Sequence, residues 1–452
     1  MCEYKFINIL DDRFNIVLPH ILRDDDDCDP IHDEEFASGV DYYSIVEKIN
    51  NGAALSQLRS YRKILEKKCK VYSSIFVESG FAMIVIGFLR SDQCVLCIEA
   101  MKIISNMVLN EESYNYFSDL VELGIIRVFR EILKSENSEK TIQHLILWCL
   151  SYIMRQSEII FQTIWEQYTL DTVLSVFEEY RNDDGIMKQN IILLDGFTSF
   201  EPLDMDFLFH IAYEMCFLEC FSYYPKEVIE LFTHIANYQE SIQYFEEKGV
   251  LMNLLNLIYE VQSYKLILPL IKLYNSISKH DPDLVLPIKN KVFSYLKPKD
   301  QLPEVFYNVM IFGYYLACGI LPEEDIKGLI LSINSNVDSI PSKYFHNIMI
   351  CFMYFVVSLP VSEVLSLLDY GIIDNFIRIL DVEDKSLVFQ MLKLLTDLVE
   401  QEFLQFNSIQ VITCFSENGG IDLINALSPS SDGESRVLEN FYSKLSTKNI
   451  VL

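Results

Sequence analysis

Residues 121–153 read VELGIIRVFREILKSENSEKTIQHLILWCLSYI, and the pattern of this stretch decides the fold. After Gly124, apolar residues recur at three- and four-residue spacing as far as Leu133. A polar link then leads to a longer segment with the same periodicity, from Thr141 to Met154. Such spacing is typical of amphipathic helices that share an apolar core. The stretch therefore predicts a glycine junction, a short helix and a longer helix in succession.

The same arrangement recurs along the chain at a nearly regular interval. A glycine that opens an apolar helix occurs at Gly80, Gly124, Gly249, Gly371 and Gly419. The first interval is 44 residues and the next two are 125 and 122, close to three times a period in the low forties. This period is in the range of armadillo and HEAT repeats, whose units stack because none can bury its apolar face alone. We predict an all-α right-handed superhelix of about nine or ten armadillo units over residues 41–446.

The chain is strongly acidic. It has 452 residues, with 36 Lys plus Arg against 65 Asp plus Glu, and a formal net charge of -29. Nucleic acids and anionic membranes would repel such a chain, so we expect neither as a partner. Basic proteins or peptides are favoured instead. Half of the residues are hydrophobic, which excludes a mostly disordered chain.

The cysteines and the N-terminal sequence indicate the compartment. Eleven cysteines, an odd number, lie in apolar stretches and are typical of free buried thiols in a reducing environment. The first residues, MCEYKFINILDDRF, lack the basic and apolar regions of a secretory signal. The longest apolar runs are shorter than the 18 or so residues of a membrane-spanning helix. We expect a soluble protein of the cytoplasm and nucleus.

The two ends of the chain differ from the repeat region. Residues 1–40 contain eleven acidic residues and only three basic ones, Lys5, Arg13 and Arg23. We predict a mobile acidic N-terminal tail over residues 1–40 and a short C-terminal tail over residues 447–452.

Catalytic and metal-binding motifs are not found in the sequence. Cys94 and Cys97 form a single CxxC on a predicted helix without a nearby histidine, so core packing is the favoured interpretation. Phosphate-binding glycine loops, nucleophile elbows and paired metal-binding histidines do not occur. We therefore expect neither enzyme activity nor a bound cofactor or metal.

Several stretches resemble one family. Residues 41–68, DYYSIVEKINNGAALSQLRSYRKILEKK, are similar to the start of the armadillo domain of importin alpha, the adaptor that carries nuclear-localisation signals. Residues 121–153 and 361–399 continue the similarity. Residues 416–445 include SENGGIDLINAL, whose double glycine is the most family-specific piece. The resemblance implies a concave surface lined by the last helix of each repeat.

The resemblance also implies a way of binding. In the family, a Trp and an Asn one turn apart on each concave helix hold an extended basic peptide. Residues at i and i+4 share a helix face, so both side chains reach the groove. Stacked indoles accommodate lysine side chains and attract the ammonium groups, while the amide holds the peptide backbone.

This chain keeps the Trp and Asn pairs only in part. The positions read Lys102 and Asn106, Trp148 and Tyr152, Leu193 and Phe197, Glu230 and His234, Ile271 and Asn275, Ile311 and Tyr315, Ile350 and Tyr354, and Lys393 and Asp397. By this resemblance, the peptide-binding residues are Asn106, Trp148, Tyr152 and Asn275. The family's basic N-terminal helix, which binds importin beta, is replaced here by the acidic run of residues 24–27.

Two functions follow as hypotheses. The first is an importin-alpha-like adaptor that binds basic peptides in an acidic concave groove for nuclear import, with importin beta or an export factor as possible partners. The second is a diverged armadillo scaffold that binds another protein partner and has no carrier function. The first is the leading hypothesis, because of the family resemblance and the net charge of -29. The incomplete ladder and the missing basic helix motivate the second.

Overall fold

The structure is a computed structural model that describes most of residues 41–447. The described ranges are 41–66, 73–109, 114–135, 138–155, 157–167, 170–180, 183–198, 200, 205–213, 217, 221–261, 263–296, 302–317, 319–380, 382 and 384–447. The predicted acidic tail, residues 1–40, lies outside these ranges. So do residues 448–452 of the predicted C-terminal tail.

Every regular element in the described ranges is a helix. The chain forms two compact units, residues 1–231 and 232–452, whose boundary falls within helix α13 (Pro225–Ile235). The earlier helices are α1 (Tyr42–Asn50), α2 (Ala54–Glu66), α3 (Ser73–Glu78), α4 (Phe81–Phe88), α5 (Cys94–Leu109), α6 (Tyr114–Glu122), α7 (Ile125–Leu133), α8 (Lys140–Ile153), α9 (Glu158–Gln167), α10 (Leu170–Glu179), α11 (Asp184–Gly196) and α12 (Met205–Ile211).

The second unit continues in the same way. Its helices are α14 (Gln239–Glu247), α15 (Val250–Glu260), α16 (Tyr264–His280), α17 (Pro282–Val285), α18 (Lys289–Phe293), α19 (Pro303–Leu316), α20 (Glu323–Asn336), α21 (Ser342–Val357), α22 (Val361–Ser366), α23 (Ile372–Leu380), α24 (Lys385–Phe406), α25 (Gln410–Glu417), α26 (Gly420–Ala426) and α27 (Asp432–Thr447). Short 3-10 segments cover Leu286–Ile288, Ser294–Leu296, Val337–Ser339 and Leu368–Tyr370.

The repeating glycines all have the same backbone conformation. Their φ angles lie between 69° and 86°, and each directly precedes a helix. These glycines are Gly80, Gly124, Gly249, Gly371 and Gly419. Side chains rarely adopt this left-handed conformation, which glycine tolerates. A Cβ atom at Gly124 would meet nothing within 4 Å, so the backbone and not crowding requires the glycine there.

Long helices pack side by side in each unit. In the first unit, α2 packs on α5, α5 on α8 and α8 on α11; we call these four helices the unit-1 row. In the second, α16, α19, α21, α24 and α27 pack in the same sequential way and form the unit-2 row. Other helices cover one side of each row: α4, α7 and α10 in the first unit, and α15, α20 and α23 in the second. The other side is the open face of the row. The predicted all-α armadillo architecture is confirmed.

The middle of the unit-1 row is heavily buried. Helix α8 lies between α5 and α11 and also contacts α7 and α9. Its buried residues are Ile142, Gln143, Leu145, Ile146, Leu147, Trp148, Cys149, Leu150, Ser151 and Ile153. A helix that is apolar around most of its circumference is buried in this way.

Ion pairs link neighbouring helices of the rows at their ends. Lys140 of α8 donates to Asp183 at 2.7 Å, and Asp183 caps α11 by accepting from the backbone N–H of Ile186 at 3.1 Å. At the other end of the same helices, Arg155 donates to Asp195 at 2.7 Å. The hydrogen bond from Lys140 is the main cause that holds the pKa of Asp183 below its ordinary value of 3.8.

The cap at Asp183 gives unit 1 a pH-dependent contribution to stability. Because the folded-state pKa is lowered, this contribution is present above the unfolded-state pKa and is lost as the pH falls through the folded-state value. Asparagine can still cap the helix but lacks the charge that pairs with Lys140, so we expect Asp183→Asn to lower the free energy of unfolding of unit 1 by about 0.5 kcal/mol at neutral pH. Below pH 3.8 the difference from the parent protein should shrink.

Hydrogen exchange of the α11 amides, measured across this pH range, checks the prediction. Asp92→Asn removes another exposed carboxylate, one that caps no helix in the described structure, and serves as the control. An Asp183→Asn effect of equal size at neutral pH and well below pH 3.8 would contradict the prediction.

Candidate functional site

The open face of the unit-1 row carries two of the predicted ladder positions. Lys102 and Asn106 lie on α5, and Trp148 and Tyr152 lie on α8. Asn106 is half-buried and makes no hydrogen bond among the described residues. Its amide is therefore available at the surface of α5.

Trp148 is much less accessible than a groove residue would be. Its side chain is 2% exposed, and its ring stacks on Tyr152 with centroids 5.9 Å apart and planes inclined by 25°. The indole Nε1 is buried and has no hydrogen-bond partner among the described residues. Tyr152 is half-buried and covers the indole, so Tyr152 presents the larger accessible surface of the pair.

The third predicted pair lies in the core. Leu193 and Phe197 are both fully buried, whereas Lys188 is exposed and Ile192 is half-buried. The predicted pair for this repeat, Leu193 and Phe197, is therefore wrong: both side chains belong to the core.

Side-chain hydrogen bonds between neighbouring row helices establish the correct register. Ser105 of α5 lies 3.4 Å from the Cys149 sulfur of α8, and Gln189 of α11 donates to Ser151 of α8 at 3.1 Å. Ser105 and Ser151 each face the next helix, and Cys149 and Gln189 each face the preceding one. Cys149 directly follows Trp148, and Gln189 directly follows Lys188. Lys188 is therefore the counterpart of Trp148, and Ile192, four residues later, is the counterpart of Tyr152.

Asn275 faces the neighbouring helix. It is 8% exposed, and its side-chain nitrogen donates to the backbone oxygen of Asn308 on α19 at 3.1 Å. The open face of α16 is formed instead by Lys272 and Ser276, one position further along the chain. The peptide-binding role of Asn275, like those of Asn106, Trp148 and Tyr152, stays a prediction.

The centre of the unit-2 row is apolar and aromatic. Ile311 and Tyr315 of α19 and Ile350 and Tyr354 of α21 are partly exposed at the predicted ladder positions. The rings of Tyr314 and Tyr354 lie 4.6 Å apart across the two helices. Together these residues form a continuous surface on two neighbouring helices.

A second tyrosine pair supports this surface from one side. The rings of Tyr307 and Tyr344 stack with centroids 4.7 Å apart and planes inclined by 16°. The side chain of Asn347 donates to the Tyr307 hydroxyl at 3.3 Å, and burial raises the pKa of Tyr307. This phenol stays neutral and fixes the register of α19 against α21.

The charges on the unit-2 row differ from the acidic groove that the sequence predicts. Helices α16, α19 and α21 contain four lysines, namely Lys265, Lys272, Lys279 and Lys343, and a single carboxylate, Glu304. With neutral histidines, their formal charge is therefore +3, in a chain whose net charge is -29. Glu304 is paired with Lys272 at 2.7 Å.

A second cationic site lies where α24 meets α27, although these two helices carry four cations against six carboxylates. Lys393 and Arg436 line a surface pocket of about 410 Å³ together with Thr396, Asp397 and Asn440. Neither cation has an ion-pair partner among the described residues, and Asp397 is the carboxylate in the lining. Glu400, on the same helix, is paired with Lys444 of α27.

The thiols in the described ranges do not form a reactive site. Burial raises the pKa of Cys149 and of Cys351 to about 12, and that of Cys97 to about 11. Cys94 is exposed, and its thiol contacts the Glu139 carboxylate, which raises its pKa. Protonated thiols are poor nucleophiles and poor metal ligands. Cys94 is thus a surface residue, in contrast to the predicted core packing of the CxxC.

Neither a metal cluster nor a membrane span is found in the part of the chain that the structure describes. No group of three or more His, Cys, Asp or Glu side chains in those ranges is placed to hold a metal ion. No helix there is both long and apolar enough to cross a membrane.

The fold of this chain is shared by engineered proteins of known structure. An engineered protein from the Northeast Structural Genomics Consortium aligns with 91% of this chain and 99% of its own, at 15% identity and a TM-score of 0.63. A designed armadillo repeat protein in complex with the peptide (KR)4 aligns with 51% of this chain and 98% of its own, at 15% identity and a TM-score of 0.44. No family model and no curated protein matches the sequence. The alignment with the first of these proteins over 91% of the chain supports the all-α repeat fold described above.

Proposed function

We propose that this protein is an armadillo-type scaffold that binds a segment of a partner protein along the open face of the unit-2 row. The observation that carries the proposal is the surface of Ile311, Tyr315, Ile350 and Tyr354. These side chains are partly exposed on adjacent helices, while the core beneath them is already filled. Apolar and aromatic side chains grouped on one exposed face are typical of protein-binding sites.

The aromatic groups give this surface the chemistry of a binding site. Tyrosine offers a large apolar face and a hydroxyl that exchanges hydrogen bonds with a bound backbone. The Tyr314–Tyr354 and Tyr307–Tyr344 contacts hold several of the rings in place before a partner arrives. Side chains that are already ordered lose less entropy on binding, so the surface is preorganised.

Selection from a displayed library of random 12-residue peptides against the full-length protein tests the proposal. We expect enriched peptides whose affinity falls about 10-fold or more in the double variant Ile311→Ser, Ile350→Ser. The matched control is Ile159→Ser, Met252→Ser, which changes two exposed apolar residues on α9 and α15. No enrichment, or equal binding to both double variants, would refute the scaffold proposal.

A nuclear-import adaptor is the second proposal, and the stacked pair of Trp148 and Tyr152 beside Asn106 favours it. This hypothesis requires that the same selection enrich lysine-rich peptides that bind to the unit-1 row. Their affinity should fall in Tyr152→Ala and Asn106→Ala, and importin beta should be recovered with the protein. If the enriched peptides carry no lysine clusters, or ignore both substitutions, the scaffold without a carrier function is the remaining proposal.

A further inference from the structure

The charge distribution on the unit-2 row indicates what kind of segment fits it. On α16, Lys265, Lys272 and Lys279 are spaced seven residues apart, so they lie along one stripe of the open face. Lys265 and Lys279 are exposed, and Lys272 is half-buried against Glu304. At the other end of the row, Lys393 and Arg436 line the pocket between α24 and α27. The apolar surface therefore lies between two cationic regions.

Few carboxylates oppose these cations. Helices α16 and α21 contain no Asp or Glu, and the one on α19, Glu304, is paired with Lys272. On α24, Asp397 shares the pocket with Lys393, and Glu400 is paired with Lys444. Glu402 is fully buried and accepts from the backbone N–H groups of Gln410 and Val411. On α27, Asp432, Glu434 and Glu439 lie outside the pocket lining. A carboxylate of a bound segment thus meets net positive charge along α16, and two cations against the single carboxylate Asp397 in the pocket.

We propose that the unit-2 row binds a partner segment that is acidic at both ends and aliphatic or aromatic between them. This proposal rests on the scaffold function above and specifies its partner. Carboxylates of the segment pair with Lys265 at one end and with Lys393 and Arg436 at the other. Its apolar side chains pack on Ile311, Ile350 and the tyrosines.

The spacing of the row sets the length of the segment. Packed helices are about 9 Å apart, so three steps from α16 to α24 span about 27 Å. An extended chain covers about 3.3 Å per residue, and eight or nine residues bridge this distance. The acidic groups of the partner are therefore separated by about eight residues.

Fluorescence anisotropy with the full-length protein and two labelled 12-residue peptides tests the proposal. One peptide has two glutamates at each end and alternating leucine, serine and tyrosine between them; the other has lysines in place of the glutamates. At low salt we expect the acid-ended peptide to bind about 10-fold tighter or more, and the difference to shrink as salt is added. If the lysine-ended peptide binds equally well or more tightly, or if the acid-ended peptide does not bind, the proposal is overturned.

Charge reversal locates the binding site. We expect Lys265→Glu, Lys393→Glu to weaken binding of the acid-ended peptide about 10-fold or more. The control Lys48→Glu, Lys134→Glu makes the same change in net charge on exposed residues of unit 1 and should leave the affinity unchanged. Equal losses in both double variants would mean a general charge effect and would overturn the proposal.

Two further outcomes separate this proposal from the scaffold function. Tight binding of the lysine-ended peptide that is lost in Ile311→Ser, Ile350→Ser would leave the scaffold in place and overturn only the acidic partner. Carboxyl-to-amine cross-linking identifies a competing occupant. Links from Lys265 or Lys393 to the acidic run of residues 24–27 in the same chain would make the chain's own N-terminal segment the occupant, and would overturn the proposal of a partner.

Discussion

Replacing Glu99 by alanine is expected to lower the free energy of unfolding of unit 1 by about 3–5 kcal/mol, because it removes the buried carboxylate that pairs with the buried Arg62 guanidinium. Arg62 and Glu99 are each 4% exposed, and Arg62 donates to the carboxylate at 3.0 Å across the α2–α5 contact. Arg59 approaches the same carboxylate at 3.6 Å. Without Glu99, the buried Arg62 and the partly exposed Arg59 repel each other.

Two comparisons separate the loss of the ion pair from a general effect of removing charge. Glu131 forms exposed ion pairs with Arg90 and Arg127, so Glu131→Ala should cost at most about 1 kcal/mol. In the double variant Arg62→Met, Glu99→Leu apolar side chains replace the buried ion pair, and most of the stability should return. Hydrogen exchange of the α2 and α5 amides measures the local free energy of opening. If Glu99→Ala costs no more than Glu131→Ala, the prediction is wrong.

Replacing Trp148 by alanine is also expected to destabilise unit 1, by about 3–5 kcal/mol. The indole is 2% exposed in the middle of α8, and α8 packs on both α5 and α11. Removing such a large side chain loses the free energy gained by burying it. It also leaves a cavity that the surrounding helices cannot fully close. The backbone amides of α8 should then exchange faster than those of the unit-2 row.

Trp148→Phe is the informative partner of this variant. The indole nitrogen has no hydrogen-bond partner among the described residues, so phenylalanine loses volume but no hydrogen bond. It should retain most of the stability, with a cost of about 1.5 kcal/mol. If Trp148→Ala leaves the exchange of the α8 amides unchanged, the indole is not part of the core and the prediction is wrong.

The expected instability of Trp148→Ala affects how peptide-binding experiments on the unit-1 row are interpreted. Loss of peptide binding in Trp148→Ala would have two causes that this variant does not separate. One is the loss of a contact with the peptide, and the other is the destabilisation of α8. Tyr152→Ala changes a half-buried ring at the surface, and Asn106→Ala changes a half-buried amide. These two variants therefore test the unit-1 row as a binding surface more directly.

The charge of the unit-2 row shows why a whole-chain composition is a poor guide to a binding surface. The net charge of -29 predicts an acidic groove, yet α16, α19 and α21 carry a formal charge of +3. The sequence does contain this information, since these three helices have four lysines and one glutamate. Counting charges helix by helix would have shown that α16, α19 and α21 are basic, whereas α24 and α27 each carry two cations and three carboxylates.

The ladder positions were predictable in some repeats and not in others. Ile311, Tyr315, Ile350 and Tyr354 lie on the open face, as the spacing predicts. Leu193 and Phe197 lie in the core, and Asn275 faces α19. An α-helix turns by about 100° per residue, so an error of one position moves a side chain from the groove to a neighbouring helix. The apolar pattern of a helix buried on three sides does not reveal such an error.

The sequence by itself determined the all-α repeat architecture and its period. Glycines such as Gly124 and Gly249 mark each junction because the left-handed backbone conformation there excludes most other residues, and this requirement is local. Only the tertiary structure decided which residues of the long helices face the open side. That choice depends on contacts between helices about 40 residues apart, such as Ser151 with Gln189 and Asn275 with Asn308. Local periodicity specifies an apolar face, whereas packing between neighbours fixes its rotation.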